Sequence, residues 1–366
     1  MMKKEKISAL QMAMSLFPSI IATAILSVPS ITAQYARNDL WLSPILASVV
    51  GLLTVYIAVE LQKLYPGQTV TEFSIAIIGR FAGKAVGLII LIFYLQNTGE
   101  ITRIYSQFIN TSFLPKTPEI VVIASMVFIC ACCVYGGLEV IGRVAQLLFP
   151  LFILPIILLI LFLSPDFEPG NILPMFEKGV MPSLKGAIAP AGWFAEFFVI
   201  TFFLPFLADK KNAMKHGMRS VIGAMLTLVI VNLIVLFVMG TTTANTVYPL
   251  MNVARYANMV GFFENMEAIV MAVWIAGVFV KTSVFFYAVA LSTAHLLNLS
   301  DYRTVVWPLA ILIIEFSFWG IPSAMKMSLY NLTGFPFYSL FIQLIIPLFL
   351  LVTAVFRKKL KLERTK

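Results

Sequence analysis

The chain has 366 residues, of which 60% are hydrophobic and 12% are charged, and its mean hydropathy is +0.95. This composition, with apolar runs of about 20 residues, excludes a soluble globular protein and indicates membrane-spanning helices. The net charge of +9 does not indicate nucleic-acid binding, because no basic patch with interleaved aromatic residues lies away from the predicted spans.

Apolar runs of membrane-spanning length follow one another through the whole chain. Ten spans are predicted, with approximate bounds 10–36, 41–62, 85–112, 119–135, 140–163, 184–207, 219–241, 264–297, 304–320 and 335–356. No segment between them is long enough for a separate domain, so we predict a single transmembrane domain over residues 1–366. The expected fold class is an all-α integral membrane protein.

Two spans contain a proline among small residues, at 22–30 in the first span and at 186–193 in the sixth. These residues predict a break in each helix, and a break leaves backbone groups that are costly in lipid unless a polar partner uses them. Breaks at corresponding positions of two halves predict a five-plus-five inverted repeat, over about 7–163 and 184–357. The same pattern predicts a small-molecule site near the middle of the membrane.

The distribution of lysine and arginine predicts the orientation. With the N-terminus taken as cytoplasmic, 18 of the 26 basic residues fall on the cytoplasmic side and 6 on the other side. The remaining two, Arg103 and Lys281, lie within predicted spans. Because positive residues concentrate on the cytoplasmic side, we predict that both termini are cytoplasmic.

Lys281 is the most unusual residue of the predicted spans. It lies in the middle of the eighth span, with no acidic residue within one helical turn. Because a lone ammonium is costly in lipid, it must face a cavity, bind freed carbonyls or pair with another helix, and Glu196 on the sixth span offers a carboxylate. Its possible roles are a contact to a ligand carboxylate, a proton carrier, a fixed cation, or one half of a structural ion pair.

The third span carries polar residues near its middle. Glu100 and Arg103 are three residues apart, so we predict that they neutralise each other as a structural ion pair. Asn97 lies about one turn before Glu100 and could reach the central cavity.

The sequence indicates neither catalysis nor a bound metal or cofactor. Cys130, Cys132 and Cys133 lie in the fourth span with no histidine nearby, and we predict that they are reduced core residues. No nucleophile–base arrangement, phosphate-binding glycine loop or acid–base pair is present. We therefore expect no enzymatic activity, no metal and no cofactor.

Several stretches, in their order along essentially the whole chain, resemble a known family. They are 25–29 in the first span, 65–72 and 79–84 after the second, Thr102 and Arg103 on the third, 116–118 after it, Glu196 and 203–205 on the sixth, Lys210 and Lys211 beyond it, and 274–287 on the eighth. They are similar to the B subunit of bacterial spore germinant receptors. This is the spore germination permease family, within the amino acid–polyamine–organocation transporter superfamily.

The resemblance implies a LeuT-like fold with broken first and sixth helices, in the spore's inner membrane. It implies a germinant sensor that binds a small nutrient, chiefly an amino acid and sometimes a sugar, and signals to an A subunit and a lipoprotein C subunit. A proton-coupled amino acid secondary transporter is the alternative, and a structural subunit that binds nothing is a third. The residues implied for the ligand pocket are Thr23, Ala24, Ser27, Phe93, Asn97, Trp193, Glu196, Lys281, Thr282 and Phe285.

Overall fold

The computed structural model describes residues 5–259, 266–319 and 324–364, and these form fourteen α-helices. The helices of the first half are α1 (Ala9–Ala36), α2 (Leu42–Leu64), α3 (Val70–Ile78), α4 (Arg80–Ser112), α5 (Glu119–Gly136) and α6 (Leu138–Leu163). Those of the second half are α7 (Met181–Ala195), α8 (Ala213–Met239), α9 (Pro249–Met259), α10 (Met266–Leu297), α11 (Arg303–Trp319), α12 (Ala324–Thr333), α13 (Phe335–Leu340) and α14 (Ile346–Arg364). A π-helical turn, Phe341–Ile345, joins α13 to α14.

In the part of the chain that the structure describes, nine helical stretches are long and apolar enough to cross a membrane. α11, which has 17 residues, matches the predicted ninth span 304–320, whose last residue lies outside the described residues. Residues 264 and 265 of the predicted eighth span also lie outside them. Each predicted span therefore has a helix at its position, and the prediction of an all-α integral membrane protein is confirmed.

The first span is one continuous helix, because α1 passes through Pro29 without a break. Because Pro29 has no N–H, the Ile25 carbonyl one turn earlier lacks its usual helical donor. The turns on both sides nevertheless remain helical, and the Thr32 hydroxyl donates to the carbonyls of Val28 (2.8 Å) and Pro29 (3.2 Å) in the turn that follows. The predicted break at residues 22–30 is therefore wrong.

The sixth span is interrupted, but after the segment that the sequence predicts. Residues 186–193 lie inside α7, which ends at Ala195. The backbone then tightens into 3₁₀ turns over Glu196–Phe202 and Leu204–Phe206. Four fully buried aromatic residues lie along these turns: Phe197, Phe198, Phe202 and Phe203. The change of helix type thus coincides with an aromatic run, and the proline at 190 is accommodated inside α7.

The centre of the bundle is formed by four helices. α1 packs against α7 and α10, and α4 packs along α10. The first and sixth spans therefore lie side by side, as do the third and eighth. The large fully buried side chains of these helices include Phe93, Tyr94, Lys281 and Phe285. A lysine at the centre of an apolar core requires specific partners, and these define the candidate site.

The segment before α1 ties one end of the bundle together. Glu5 forms an ion pair with Arg303 and accepts a hydrogen bond from the Leu138 N–H at 2.7 Å. The Tyr302 hydroxyl donates to Glu5 at 3.3 Å, and burial, followed by the charge of Glu5, raises the pKa of this phenol, which therefore stays protonated. Ile7 pairs with the end of the 3₁₀ segment through a parallel bridge. These contacts join the start of α1 to four neighbouring elements.

Candidate ligand-binding site

Lys281 and Glu196 form an ion pair at the centre of the bundle. The Lys281 Nζ atom lies 2.7 Å from Glu196 Oε2, and each side chain is 1% exposed. Lys281 is in the middle of α10, and Glu196 is the first residue of the 3₁₀ segment after α7. Two charges taken out of water require each other and further hydrogen bonds, so this pair holds α10 beside the start of the 3₁₀ segment.

Two more helices contribute hydrogen bonds to the pair. Lys281 Nζ donates to the Thr23 hydroxyl of α1 at 2.7 Å, and Asn97 Nδ2 of α4 donates to Glu196 Oε1 at 3.1 Å. The ammonium also lies 5.2 Å from the centroid of the Phe285 ring, a cation–π distance. One polar network thus connects α1, α4, the end of α7 and α10.

A small cavity of about 20 Å³ lies beside this network. It has room for about one water molecule. Six of the ten residues predicted for the pocket line it: Thr23, Ser27, Asn97, Trp193, Glu196 and Lys281. The structure thus brings together residues from the first, third, sixth and eighth spans, as the sequence analysis expected of a central site.

The other four predicted pocket residues do not line the cavity. Phe285 lies beneath the ammonium, and Phe93 packs against Tyr338 with ring centroids 5.1 Å apart. Ala24 and Thr282 are fully buried. The ligand contacts assigned to these four residues stay predictions, and they require a cavity larger than the one described.

Five further residues line the cavity that were not predicted for the pocket: Glu100, Ile101, Ile104, Asn331 and Phe335. Asn331 is on α12, just before the last span, and Phe335 is the first residue of α13, where that span begins. Phe335 reaches the site by packing on Trp193, with ring centroids 5.4 Å apart. The sequence carries only a weak signal for these contacts, an asparagine followed one turn later by an aromatic residue. It does not show that this segment folds over the site.

The predicted ion pair between Glu100 and Arg103 does not form. Arg103 pairs with Glu119 at the start of α5, and its guanidinium carbon lies 5.1 Å from the centroid of the Phe318 ring. Glu100 instead accepts a hydrogen bond from Gln96 Nε2 at 2.9 Å and lines the cavity. A spacing of three residues permits a pair on a helix, but here each side chain has a competing partner.

The lining of the cavity offers one ammonium, two carboxylates, two carboxamides and two hydroxyls. This set can hold both ends of a small zwitterion, with its carboxylate toward Lys281 and its ammonium toward Glu196 or Glu100. Within the described ranges, no group of three or more His, Cys, Asp or Glu side chains is arranged to hold a metal ion.

Solved transporter structures share this fold. Mhp1, a nucleobase-cation-symport-1 family transporter in a closed conformation with bromovinylhydantoin bound, matches with a TM-score of 0.66 and 14% identity, over 93% of this chain and 78% of that chain. MhsT in complex with L-phenylalanine matches with a TM-score of 0.62 and 11% identity, over 96% of this chain and 99% of that chain. These likenesses confirm the predicted LeuT-like fold.

Curated relatives cover most or all of the chain. Spore germination protein KB of Bacillus subtilis (strain 168) is 25% identical over 376 residues, which span 100% of this chain and 98% of that protein. Spore germination protein YndE of the same organism is 24% identical over 296 residues, 79% of this chain and 81% of that protein. The family model described as "Spore germination protein" matches residues 6–323. With its transporter-type fold and central polar site, the chain therefore belongs to the spore germination protein family.

Proposed function

We propose that the chain is the nutrient-sensing subunit of a spore germination receptor. It binds a small molecule such as an amino acid between α1, α4, α7 and α10 and signals to A and C partner subunits. The observation that supports this most directly is the fully buried pair of Lys281 and Glu196 beside a cavity. Both residues lie in the second half, and hydrogen bonds to Thr23 and Asn97 connect the pair to the first half. Burying an ion pair within the membrane costs free energy, and charged residues at this depth typically belong to functional sites such as a ligand site.

An amino acid complements the pair because it carries both charges. Its carboxylate competes with Glu196 for Lys281, and its ammonium can take the place of Lys281 beside Glu196. A cavity of about 20 Å³ does not hold an amino acid, so the four helices separate when a ligand binds. Ligand binding thus favours a more open arrangement of the bundle, and the ligand shifts the population toward it.

The position of Glu196 suggests how this movement reaches a partner subunit. It stands where α7 changes to 3₁₀ turns, and Trp193, one turn earlier, packs on Phe335 at the start of the last span. A displacement of Glu196 therefore acts on two elements at once. We propose that the two repeats, about 7–163 and 184–357, move relative to each other around this site.

The proposed location is the inner membrane of the spore, with both termini cytoplasmic. This orientation is supported by the 18 basic residues on the predicted cytoplasmic side, compared with 6 on the other side.

The test is the germination of spores that carry single substitutions in this chain. Lys281→Met and Glu196→Gln should each raise the nutrient concentration for half-maximal germination by about tenfold or more, because a charged hydrogen bond to the ligand is lost. The matched controls are Lys178→Met and Glu177→Gln, whose side chains are exposed in the loop before α7. Immunoblots of spore membranes check that each variant accumulates with its partners. An unaltered dose response in both pocket variants contradicts the proposed site.

A proton-coupled amino acid secondary transporter is the second candidate. The TM-scores of 0.66 and 0.62 to transporter structures with small molecules bound favour it, since the whole architecture is shared. Uptake of labelled amino acids into proteoliposomes under a pH gradient separates the two candidates. The receptor proposal expects no accumulation above that of empty liposomes, and gradient-driven accumulation supports the transporter.

A further inference from the structure

A crevice of about 570 Å³ lies between the start of α4 and the end of α10, on the side predicted to be cytoplasmic. We call it the α4–α10 crevice. The residues that line it are Arg80, Phe81, Lys84, Ala85, Leu88 and Leu296. Leu296 belongs to α10, and its Cδ2 atom lies 3.2 Å from the position that a Cβ atom would take at Gly87 of α4. The two helices therefore meet closely at the back of the crevice.

The lining of the crevice combines two cations with apolar side chains. Arg80 and Lys84 carry the charges, and the other four lining residues are apolar. Throughout the described ranges, neither cationic side chain has an ion-pair or hydrogen-bond partner. The acidic residue nearest to them in the sequence is Glu72, which accepts hydrogen bonds from the N–H and the hydroxyl of Thr69 at 2.8 and 3.0 Å. The described part of the chain thus leaves both charges without a counter-charge.

The order of these residues along α4 matches the layers of a membrane. Arg80, Lys84 and Leu88 follow one another at intervals of four residues on one helical face, about 6 Å apart along the axis. The polar layer on each side of a bilayer is about 5–7 Å thick. The predicted span begins at residue 85, so Leu88 reaches the hydrocarbon and the two cations lie at the level of the headgroups.

The crevice is open toward the outside of the bundle. Phe81 is 92% exposed, more than any other large hydrophobic side chain in the described part of the chain, and Leu88 is 49% exposed. Ala85 between them is exposed as well. Lipid covers such apolar side chains at the edge of a membrane, and aromatic rings are frequent there. The crevice is therefore accessible to a lipid molecule from the side.

We propose that the α4–α10 crevice binds an anionic phospholipid. Its phosphate lies at Arg80 and Lys84, and an acyl chain runs along Phe81 and Leu88. A soluble anion would leave the apolar walls uncovered, and a purely apolar molecule would leave both cations unpaired. An amphiphile with a negative headgroup uses the whole lining. This site is separate from the function proposed above, which concerns a nutrient at the central ion pair.

Native mass spectrometry of the purified full chain in detergent tests this proposal, with phosphatidylglycerol and phosphatidylcholine of identical acyl chains as probes. We expect the wild type to bind phosphatidylglycerol about fivefold or more tightly than phosphatidylcholine. Arg80→Gln/Lys84→Gln should weaken phosphatidylglycerol binding about tenfold, because both attractions to the headgroup are lost. Ala85→Trp keeps both cations but fills the crevice, and it should weaken the same binding about fivefold or more. Ala85 is exposed, so the larger side chain displaces no packed group.

The matched control is Lys210→Gln/Lys211→Gln. It removes two positive charges from exposed residues on the same predicted side, in the 3₁₀ turn before α8. This variant should bind phosphatidylglycerol as the wild type does. Equal affinity of the wild type for the two lipids overturns the proposal, and so does unaltered phosphatidylglycerol binding by both crevice variants. An equal loss in the control also overturns it, because binding would then follow net charge and not the crevice.

Discussion

At the scale of single residues, the charge of Lys281 depends on its neighbours. Its side chain is 1% exposed, so water contributes little to its stability, and the carboxylate of Glu196 and the hydroxyl of Thr23 take the place of water. Lys281 is unusual in the sequence because no acidic residue lies within one helical turn of it. The cost of a buried charge then predicts that it needs a partner on another helix. The sequence could therefore predict this pair.

The interdependence of the two charges can be measured as stability. Lys281→Met leaves Glu196 buried without its cation, and we expect a loss of about 3–5 kcal/mol in the free energy of unfolding. The double variant Lys281→Met/Glu196→Gln should lose less than the sum of the two single losses, because no unpaired charge remains. Denaturant titration in detergent micelles checks this. Losses that simply add would contradict the pairing.

The sequence could not predict the partner of Arg103, because the i,i+3 rule does not account for side chains on other helices. In the structure Glu119 of α5 takes the guanidinium, and Gln96 binds Glu100. A double-mutant cycle of Arg103→Ala with Glu119→Gln should therefore give a coupling energy of up to about 1 kcal/mol. The same cycle with Glu100→Gln should be additive within about 0.5 kcal/mol, measured by denaturant titration. A larger coupling energy between Arg103 and Glu100 than between Arg103 and Glu119 would contradict this arrangement and support the predicted pair.

At the scale of elements, proline was an unreliable marker of a broken helix. α1 continues through Pro29, while the 3₁₀ segment Glu196–Phe202 contains no proline. Whether a membrane helix breaks depends on the partners available to its carbonyls, and these come from tertiary packing. The sequence thus predicted that the sixth span is interrupted but not where, and it predicted a break in the first span that is absent from α1.

The contact between α7 and the last span depends on a glycine. A Cβ atom at Gly192 would lie 2.8 Å from Pro336 Cα, and the Gly192 carbonyl accepts a hydrogen bond from Ser339 at 2.7 Å. We expect Gly192→Ala to cost about 1–3 kcal/mol of stability, because the start of the last span is forced away from α7. Thermal unfolding in detergent measures the loss. The control is Gly170→Ala, since nothing lies within 4 Å of a Cβ atom there; equal midpoints for both variants would contradict this contact.

At the scale of the whole molecule, the two ends of the bundle differ. Glu5, Arg303 and Ile7 tie the elements together at one end, whereas the other end contains a cavity of about 440 Å³ between the end of α1 and the second half of α4. The central pair lies between them, beside a cavity of about 20 Å³. The described conformation is therefore closed around the site, and a ligand must change the packing of the helices to enter.

The fold was predictable at this scale because lipid constrains it strongly. Span lengths predicted the helices, and each of the ten predicted spans has a helix at its position. The site was predictable only in part, because residues such as Asn331 and Phe335 join it through packing between distant segments. Hydropathy carries no information on which helices pack against each other around the site.

The central claim is that a small nutrient binds at the pair of Lys281 and Glu196, and equilibrium binding tests it most directly. Each proteinogenic amino acid, radiolabelled, is titrated onto the full chain in lipid nanodiscs, as wild type, Lys281→Met and the control Lys178→Met. We predict that the wild type and the control bind at least one amino acid saturably, and that Lys281→Met binds it about tenfold or more weakly. If no amino acid binds the wild type, or if Lys281→Met binds as tightly, the account is contradicted.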